Sequence, residues 1–252
     1  MPQPRTVSLG QFHARMVRNA HTLDEFYAAM EAWTDAIVAA SPILVCQEGC
    51  ARCCKHQVLV GEPEWAHIVR WMHANLTPEE RRRIVRRTQA QLVQPGNPLS
   101  RWLGMRGRST RVFMRQVARG AAIEATRCPM LDDDNRCAIY PVRPFVCRAY
   151  GRSVLANGSM MLCEIFAGRV RQAPGIERTL DLAPMPLTSA TYLALNRGRS
   201  PAEPGRFTIM AAHVLRHVVD GDDLSPEPIP LAAETRFPVV DEDAFDNLEA
   251  PA

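Results

Sequence analysis

Lysine is almost absent from this chain. Lys55 is the only one, so the positive charge is carried by arginine. There is no apolar run of the roughly 20 residues that a membrane-spanning helix needs. The stretch from Met1 to Asn19 holds no apolar core and no small-residue cleavage signal, so a secretory leader is not expected. Aromatic residues are sparse, at 6%. They do not interleave with the arginines as a base-stacking platform for single-stranded nucleic acid requires. A serine-nucleophile elbow, a phosphate-binding glycine loop and a repeated strand–helix unit are all missing. The expectation is a cytoplasmic protein without a membrane span, in which thiols stay reduced and an even cysteine count does not imply disulfides.

The chain does have eight cysteines, in two clusters. The first is Cys46-x3-Cys50-x2-Cys53-Cys54. The second is Cys128-x8-Cys137-x9-Cys147, with Cys163 trailing it. Thiolates at short, unequal spacings in loop-like sequence hold zinc or an iron–sulfur cluster. Cys50-x2-Cys53 is the spacing of a metal knuckle, in which the amides of a turn point at sulfur. Buried apolar cysteines are the bland alternative, but four within nine residues argue for ligation. Adjacent side chains are expected to diverge, so Cys53 and Cys54 should serve two metals, or two corners of one cluster, rather than one tetrahedral zinc. Asp132-Asp133-Asp134-Asn135 lacks the alternate acids of a calcium loop and reads as a turn between the arms carrying Cys128 and Cys137. Ligand count predicts that the two clusters converge, because neither alone closes a relaxed four-sulfur site.

Four thiolates on zinc, or on a [4Fe–4S] core, leave a net charge of about −2 that a buried site must offset. Arg52, Lys55, Arg136, Arg143 and Arg148 lie near cysteines. Arg143 and Arg148 sit among apolar and aromatic residues and are the expected charge partners. His56 is a candidate spare ligand. His213-x3-His217 has ligand spacing on one helix face, but its neighbours Val214, Leu215, Val218 and Val219 make a core role the better reading.

Around the clusters, the pattern predicts a mainly helical α+β fold. Residues 8–40 read as helix with a fresh start at the capping box Thr22-Leu-Asp-Glu25. A short extended segment is expected over 56–60, then a helix over 63–76 with Trp65, Ile68, Val69 and Met72 inward. Thr77-Pro78-Glu79-Glu80 starts another helix running to about Val93. Further helices are expected over 108–122, 189–196 and 207–219, and loops with short strands over 127–182. Residues 1–219 are expected to form one metal-binding domain with its cysteine core at 42–165. From Asp220 to Ala252 there are ten acidic residues and one arginine. That segment, broken by Pro226, Pro228, Pro230 and Pro238, reads as a disordered tail.

The pair of motifs, the second reading Cys128-Pro…Cys137-x-Ile-Tyr140-x-x-Arg143-Pro144-x-x-Cys147-Arg148-x-Tyr150, resembles the YkgJ-type cysteine-cluster family. Its members are described as zinc- or iron-chelating, or as iron–sulfur-containing. The resemblance implies a bound metal held by the cysteines, with Cys163 the least secure ligand, and it leaves the biochemical role open. The surplus of thiols favours an iron–sulfur cluster, such as 4Fe–4S, with a redox or protein-modification role. The alternative is structural zinc in a module that recruits a protein partner. A third reading, a radical or methyl-transferring S-adenosylmethionine enzyme, draws on the Cys46-x3-Cys50-x2-Cys53 spacing. It is weakened by Arg52 where such enzymes place an aromatic, and by the missing barrel units. Whether the protein is an enzyme is not decided by these residues.

Overall fold

The computed structural model describes residues 9–46, 49–55, 58–92, 127–154, 160–173, 175, 183–184, 195, 207–219 and 222–229. In chain order these form α1 (Leu9–Arg18), α2 (Leu23–Ala40), β1 (Leu59–Gly61), α3 (Glu62–Asn75), α4 (Pro78–Leu92), α5 (Phe145–Ala149), β2 (Ser153–Val154), β3 (Met160–Met161), α6 (Glu164–Gln172), β4 (Ala183–Pro184), β5 (Phe207–Ile209), α7 (Met210–Arg216), β6 (Val218–Val219) and β7 (Asp223–Leu224). Three short 3-10 turns cover Pro42–Leu44, Cys53–Lys55 and Tyr140–Val142. The fold is mainly helical α+β, as the periodicity predicts. Two compact units emerge, one from residues 1–47 and 145–195, the other from 48–144 and 196–252.

In the first unit, Thr22 caps α2. Its hydroxyl accepts from the Glu25 amide at 3.1 Å, and the Glu25 carboxylate accepts from the His21 amide at 2.7 Å. Phe26, Met30, Trp33 and Ile37 then recur every three to four residues and, with Tyr27, are all buried. Phe145 of α5 meets Phe26 edge-on, with ring centroids 5.5 Å apart. β2 pairs with β3 antiparallel and with β4 parallel. The nine-residue α6 lies where loops are expected from the sequence. Its start is hidden there because its cap is a thiol, Cys163, whose Sγ accepts from the Phe166 amide at 3.5 Å. That role usually falls to Ser, Thr, Asp or Asn.

The second unit is built on α3 and α4. Trp65, Ile68, Val69 and Met72 of α3 are each no more than 1% exposed, as their spacing predicts. Each such side chain contributes roughly 1.5–3 kcal/mol on burial. The Thr77 box starts α4: Thr77 N–H donates to the Glu80 carboxylate at 2.7 Å, and Glu80 N–H returns to the Thr77 hydroxyl at 3.3 Å. Ile84 and Val85 complete a core shared with Met130, Ile139, Val142, Met210, Val214 and Leu224. Cys128 and Cys137 pack at the edge of that core.

Residues 207–219 are not one helix. Phe207–Ile209 pairs antiparallel with Leu59–Gly61, and only Met210–Arg216 is helical. A strand partner so distant in sequence overrides the local helical periodicity. The expected helix at 108–122 lies outside the described residues, as do His56 and all of 189–196 except Leu195.

The first part of the acidic segment is folded. β7 pairs antiparallel with β6. The Leu224 carbonyl is bound by His73 Nε2 at 3.0 Å, and Ser225 N–H donates to the His217 carbonyl at 2.7 Å. Arg81 grips Asp223 with two bonds of 2.9 Å each. Burial by itself would raise the Asp223 carboxyl, but the Arg81 fork and the Leu224 amide outweigh it and hold the pKa below the ordinary value. A depressed carboxyl contributes stability that is complete above the unfolded pKa of about 4 and disappears as pH falls through the folded value. Replacing Asp223 by Asn should therefore cost about 1–2 kcal/mol at pH 7, allowing for partial solvent screening. The difference in melting temperature from the parent should shrink as the pH of the melt falls below about 4.

Candidate metal centre

The second unit holds Cys50, Cys53, Cys54, Cys128 and Cys137. Cys54 N–H donates to the Ala51 carbonyl at 3.0 Å and opens the 3-10 turn Cys53–Lys55. The Sγ atoms of Cys53 and Cys54 lie 3.9 Å apart. This corrects the expectation that the two side chains diverge. In a strand, successive side chains point to opposite faces; in a 3-10 turn they are only about 120° apart, so both sulfurs can face the same side.

The second arm meets the first through the backbone. Cys128 N–H donates to the Cys54 carbonyl at 2.7 Å. Downstream, Leu131 and Cys137 form an antiparallel bridge. Asp132 N–H donates to Arg136 O at 2.9 Å and Ala138 N–H to Met130 O at 2.8 Å. The acidic run is the turn expected from the sequence: Asp132 Oδ1 accepts from the Arg136 amide at 2.7 Å, and Asn135 takes a positive φ of 62°. A second meeting point is Gly49, at φ +75°, where a Cβ would stand 3.7 Å from the Asp134 carbonyl. The Cys50–Cys54 segment and the Cys128–Cys137 hairpin thus converge across a long stretch of chain.

The sulfurs of the hairpin are served by backbone amides two residues on. Cys128 accepts from Met130 N–H, and Cys137 from Ile139 N–H. This is the geometry by which turns stabilise thiolate ligands. Against it stand neighbours and burial. The hydrogen bond with Cys54, then burial, drives the Cys53 thiol far above its ordinary range. Burial pushes Cys128 up to about 12 and raises Cys137 as well. Arg143, stacked over the Tyr140 ring at 4.1 Å, pulls Cys53 and Cys137 back towards ionisation. Arg87 of α4 does the same for Cys128. Arg87 cannot be read from the motif, since it lies on a helix far upstream.

Without a metal these thiols are therefore protonated at neutral pH, and a metal must displace their protons to bind. The donor set fits zinc or iron: clustered sulfurs, oriented amides and nearby arginines. The 3.9 Å separation of Cys53 and Cys54 is close to the about 3.8 Å edge of a tetrahedron with metal–sulfur bonds of about 2.3 Å. Among the described residues, no three His, Cys, Asp or Glu side chains are already gathered at metal-binding distances.

The first unit contains Cys46, Cys147 and Cys163. Cys46 is exposed, whereas Cys147 on α5 and Cys163 at the α6 cap are half-buried. Arg152 donates to the Leu44 carbonyl at 3.2 Å, and Arg169 to those of Ile43 and Val45 at 2.9 Å each, pinning the chain that leads into Cys46. Gly151, at φ +84°, lies so close to Cys163 that a Cβ would stand 3.3 Å from its amide nitrogen. Arg148 is paired with Glu31 and lies over the Tyr27 ring at 4.5 Å. Burial lowers its pKa to about 10.

His213 and His217 take the core role. His213 Nε2 donates to the Val60 carbonyl at 2.9 Å, and its ring stacks on Trp65 at 5.0 Å. His217 accepts from the Ile229 amide through Nε2 at 2.7 Å, so its Nδ1 carries the proton, donated to the His213 carbonyl at 2.6 Å. Burial drives the His213 pKa down to about 3, so the ring is neutral at any physiological pH.

Protonated, half-buried thiols react slowly with alkylating agents. In chelator-treated protein at pH 7.5 (an assay condition at roughly neutral pH), iodoacetamide should modify exposed Cys46 first and Cys53, Cys128 and Cys137 last. Peptide mass spectrometry over a time course reads the order, and early labelling of Cys128 would contradict the burial described.

No curated protein and no solved structure is matched by this chain. Among the described residues, no helix is long and apolar enough to cross a membrane. The model of one family does match, over residues 45–164, and that span takes in all eight cysteines and both arms that meet at Cys54 and Cys128. Residues 45–164 are a domain of the CxxCxxCC family, the putative zinc- or iron-chelating domain, which is the YkgJ-type family.

Proposed function

We propose that the protein is a zinc–thiolate module in which Cys53, Cys54, Cys128 and Cys137 hold one metal ion, and that the metal stabilises a surface recruiting a protein partner. The observation that carries this reading is the 3.9 Å separation of the Cys53 and Cys54 sulfurs. Two ligands of a single tetrahedral ion stand about that far apart, whereas sulfurs on different corners of a cubane are roughly 6–7 Å apart. The role of the metal is structural: it displaces protons from buried thiols and closes the long loop between the two arms. Arg143 and Arg87 offset the excess negative charge of four thiolates. Tyr140, 54% exposed and stacked on Arg143, offers a rigid aromatic for a partner beside the site.

An iron–sulfur protein with a redox or protein-modification role is the second reading. The feature that favours it is the surplus of thiols, eight where four close a zinc site. Metal analysis of protein purified without oxygen separates the two. The zinc reading expects a colourless protein with about one zinc per chain. A brown protein containing iron and inorganic sulfide would overturn it in favour of the cluster. Serine at Cys53, Cys54, Cys128 or Cys137 should abolish zinc retention and lower the melting temperature together. Serine at Cys46, in the other unit, should leave zinc content unchanged.

A further inference from the structure

The backbone on either side of Cys128 is held by two side chains from one helix. Gln91 Nε2 donates to the Arg127 carbonyl at 2.7 Å, and Arg87 Nε donates to the Pro129 carbonyl at 3.2 Å. Arg87 and Gln91 are one turn apart and share a face of α4. The helix itself is anchored in the core along these turns, because Ile84, Val85 and Thr88 are fully buried and the Thr88 hydroxyl closes on the Ile84 carbonyl at 2.8 Å. The third restraint is the 2.7 Å bond from Cys128 N–H to the Cys54 carbonyl. Arg87 also has Asp132 and Asp133 of the hairpin within electrostatic reach, with Arg127 opposing them.

We infer that Arg87 and Gln91 are positioning residues that hold the Cys128 arm in place for metal capture, so that α4 acts as a splint for the second cysteine cluster. This rests on the zinc–thiolate reading above. Neither side chain is offered as a ligand. Each fixes a carbonyl next to Cys128, and together they leave the Cys128 sulfur little freedom to move away from the Cys53–Cys54 turn. Pre-ordering one arm lowers the entropy lost when the metal binds, and partners that orient ligands are typically worth about 10- to 100-fold in metal affinity.

The test uses the full chain and metal alone. Arg87→Met, Gln91→Ala, the control Arg81→Met and Cys128→Ser are compared by zinc competition with a chromophoric chelator and by the thiolate-to-cobalt charge-transfer band of cobalt-loaded protein. Arg87→Met and Gln91→Ala should each weaken zinc binding about 10-fold and reduce the charge-transfer intensity as the Cys128 sulfur becomes partly unbound. Arg81→Met removes the Asp223 grip at the other end of α4; it should lower the melting temperature with affinity and spectrum intact. Should Arg87→Met fail to fold, Gln91→Ala carries the test, since its side chain is partly exposed. Affinities within about twofold of the parent for both variants would overturn the splint. So would an equal loss in Arg81→Met, which would make the effect one of general stability. If the parent binds no zinc, or Cys128→Ser binds it as tightly as the parent, the zinc–thiolate reading itself fails and the splint falls with it.

Discussion

A backbone hydrogen bond, from the Cys128 amide to the Cys54 carbonyl at 2.7 Å, joins the two cysteine-bearing arms of the second unit. Most of what is chemically distinctive there follows from it. It sets the hairpin that carries Cys137 beside the turn that carries Cys53 and Cys54, whose two sulfurs lie 3.9 Å apart. The neighbouring Cys54 thiol and burial raise the pKa of Cys53, and burial raises those of Cys128 and Cys137, so these three thiols are neutral until something displaces their protons. A metal that binds sulfur strongly does this, and the domain belongs to a family described by that capacity.

Positive charge reaches these cysteines from two directions. Arg143 follows the second cluster in sequence and reaches Cys53 and Cys137 from its stack on Tyr140. Arg87 reaches the Cys128 arm from α4. That helix is held against the core by Ile84 and Val85, both fully buried. Hydrophobic packing and site geometry are therefore coupled. Trp65, Ile68 and Val69 of α3 fill the core against which Cys128 and Cys137 rest. The neutral His213, stacked on Trp65, ties α7 to β1 in that same unit.

Where local signals agree with tertiary context, the sequence is a good guide. The capping boxes at Thr22 and Thr77 start helices, and the Trp65–Met72 stripe is buried, because these patterns act within one or two turns. Where a distant partner decides, it is not. Phe207–Ile209 is a strand because Leu59–Gly61 lies alongside it. Asp223 and Leu224 are ordered because Arg81 and His73 receive them, although the acidic, proline-rich composition around them suggests disorder. The start of α6 was illegible for a chemical reason: a thiol stands at its cap.

What the sequence determined alone is the chemistry: eight thiols in two clusters, arginines close by, and a turn between Cys128 and Cys137 that its acidic run already announces. Those follow from residue identity and short spacing, which no tertiary arrangement changes. Only the tertiary structure decided which sulfurs are neighbours. Side-chain direction depends on whether Cys53–Cys54 lies in a strand or a 3-10 turn, and the turn brings their sulfurs to 3.9 Å. The pinning of Cys128 by Arg87 and Gln91 was likewise invisible, because a contact between a helix and a distant hairpin is set by packing of the core between them and leaves no periodic trace in the chain.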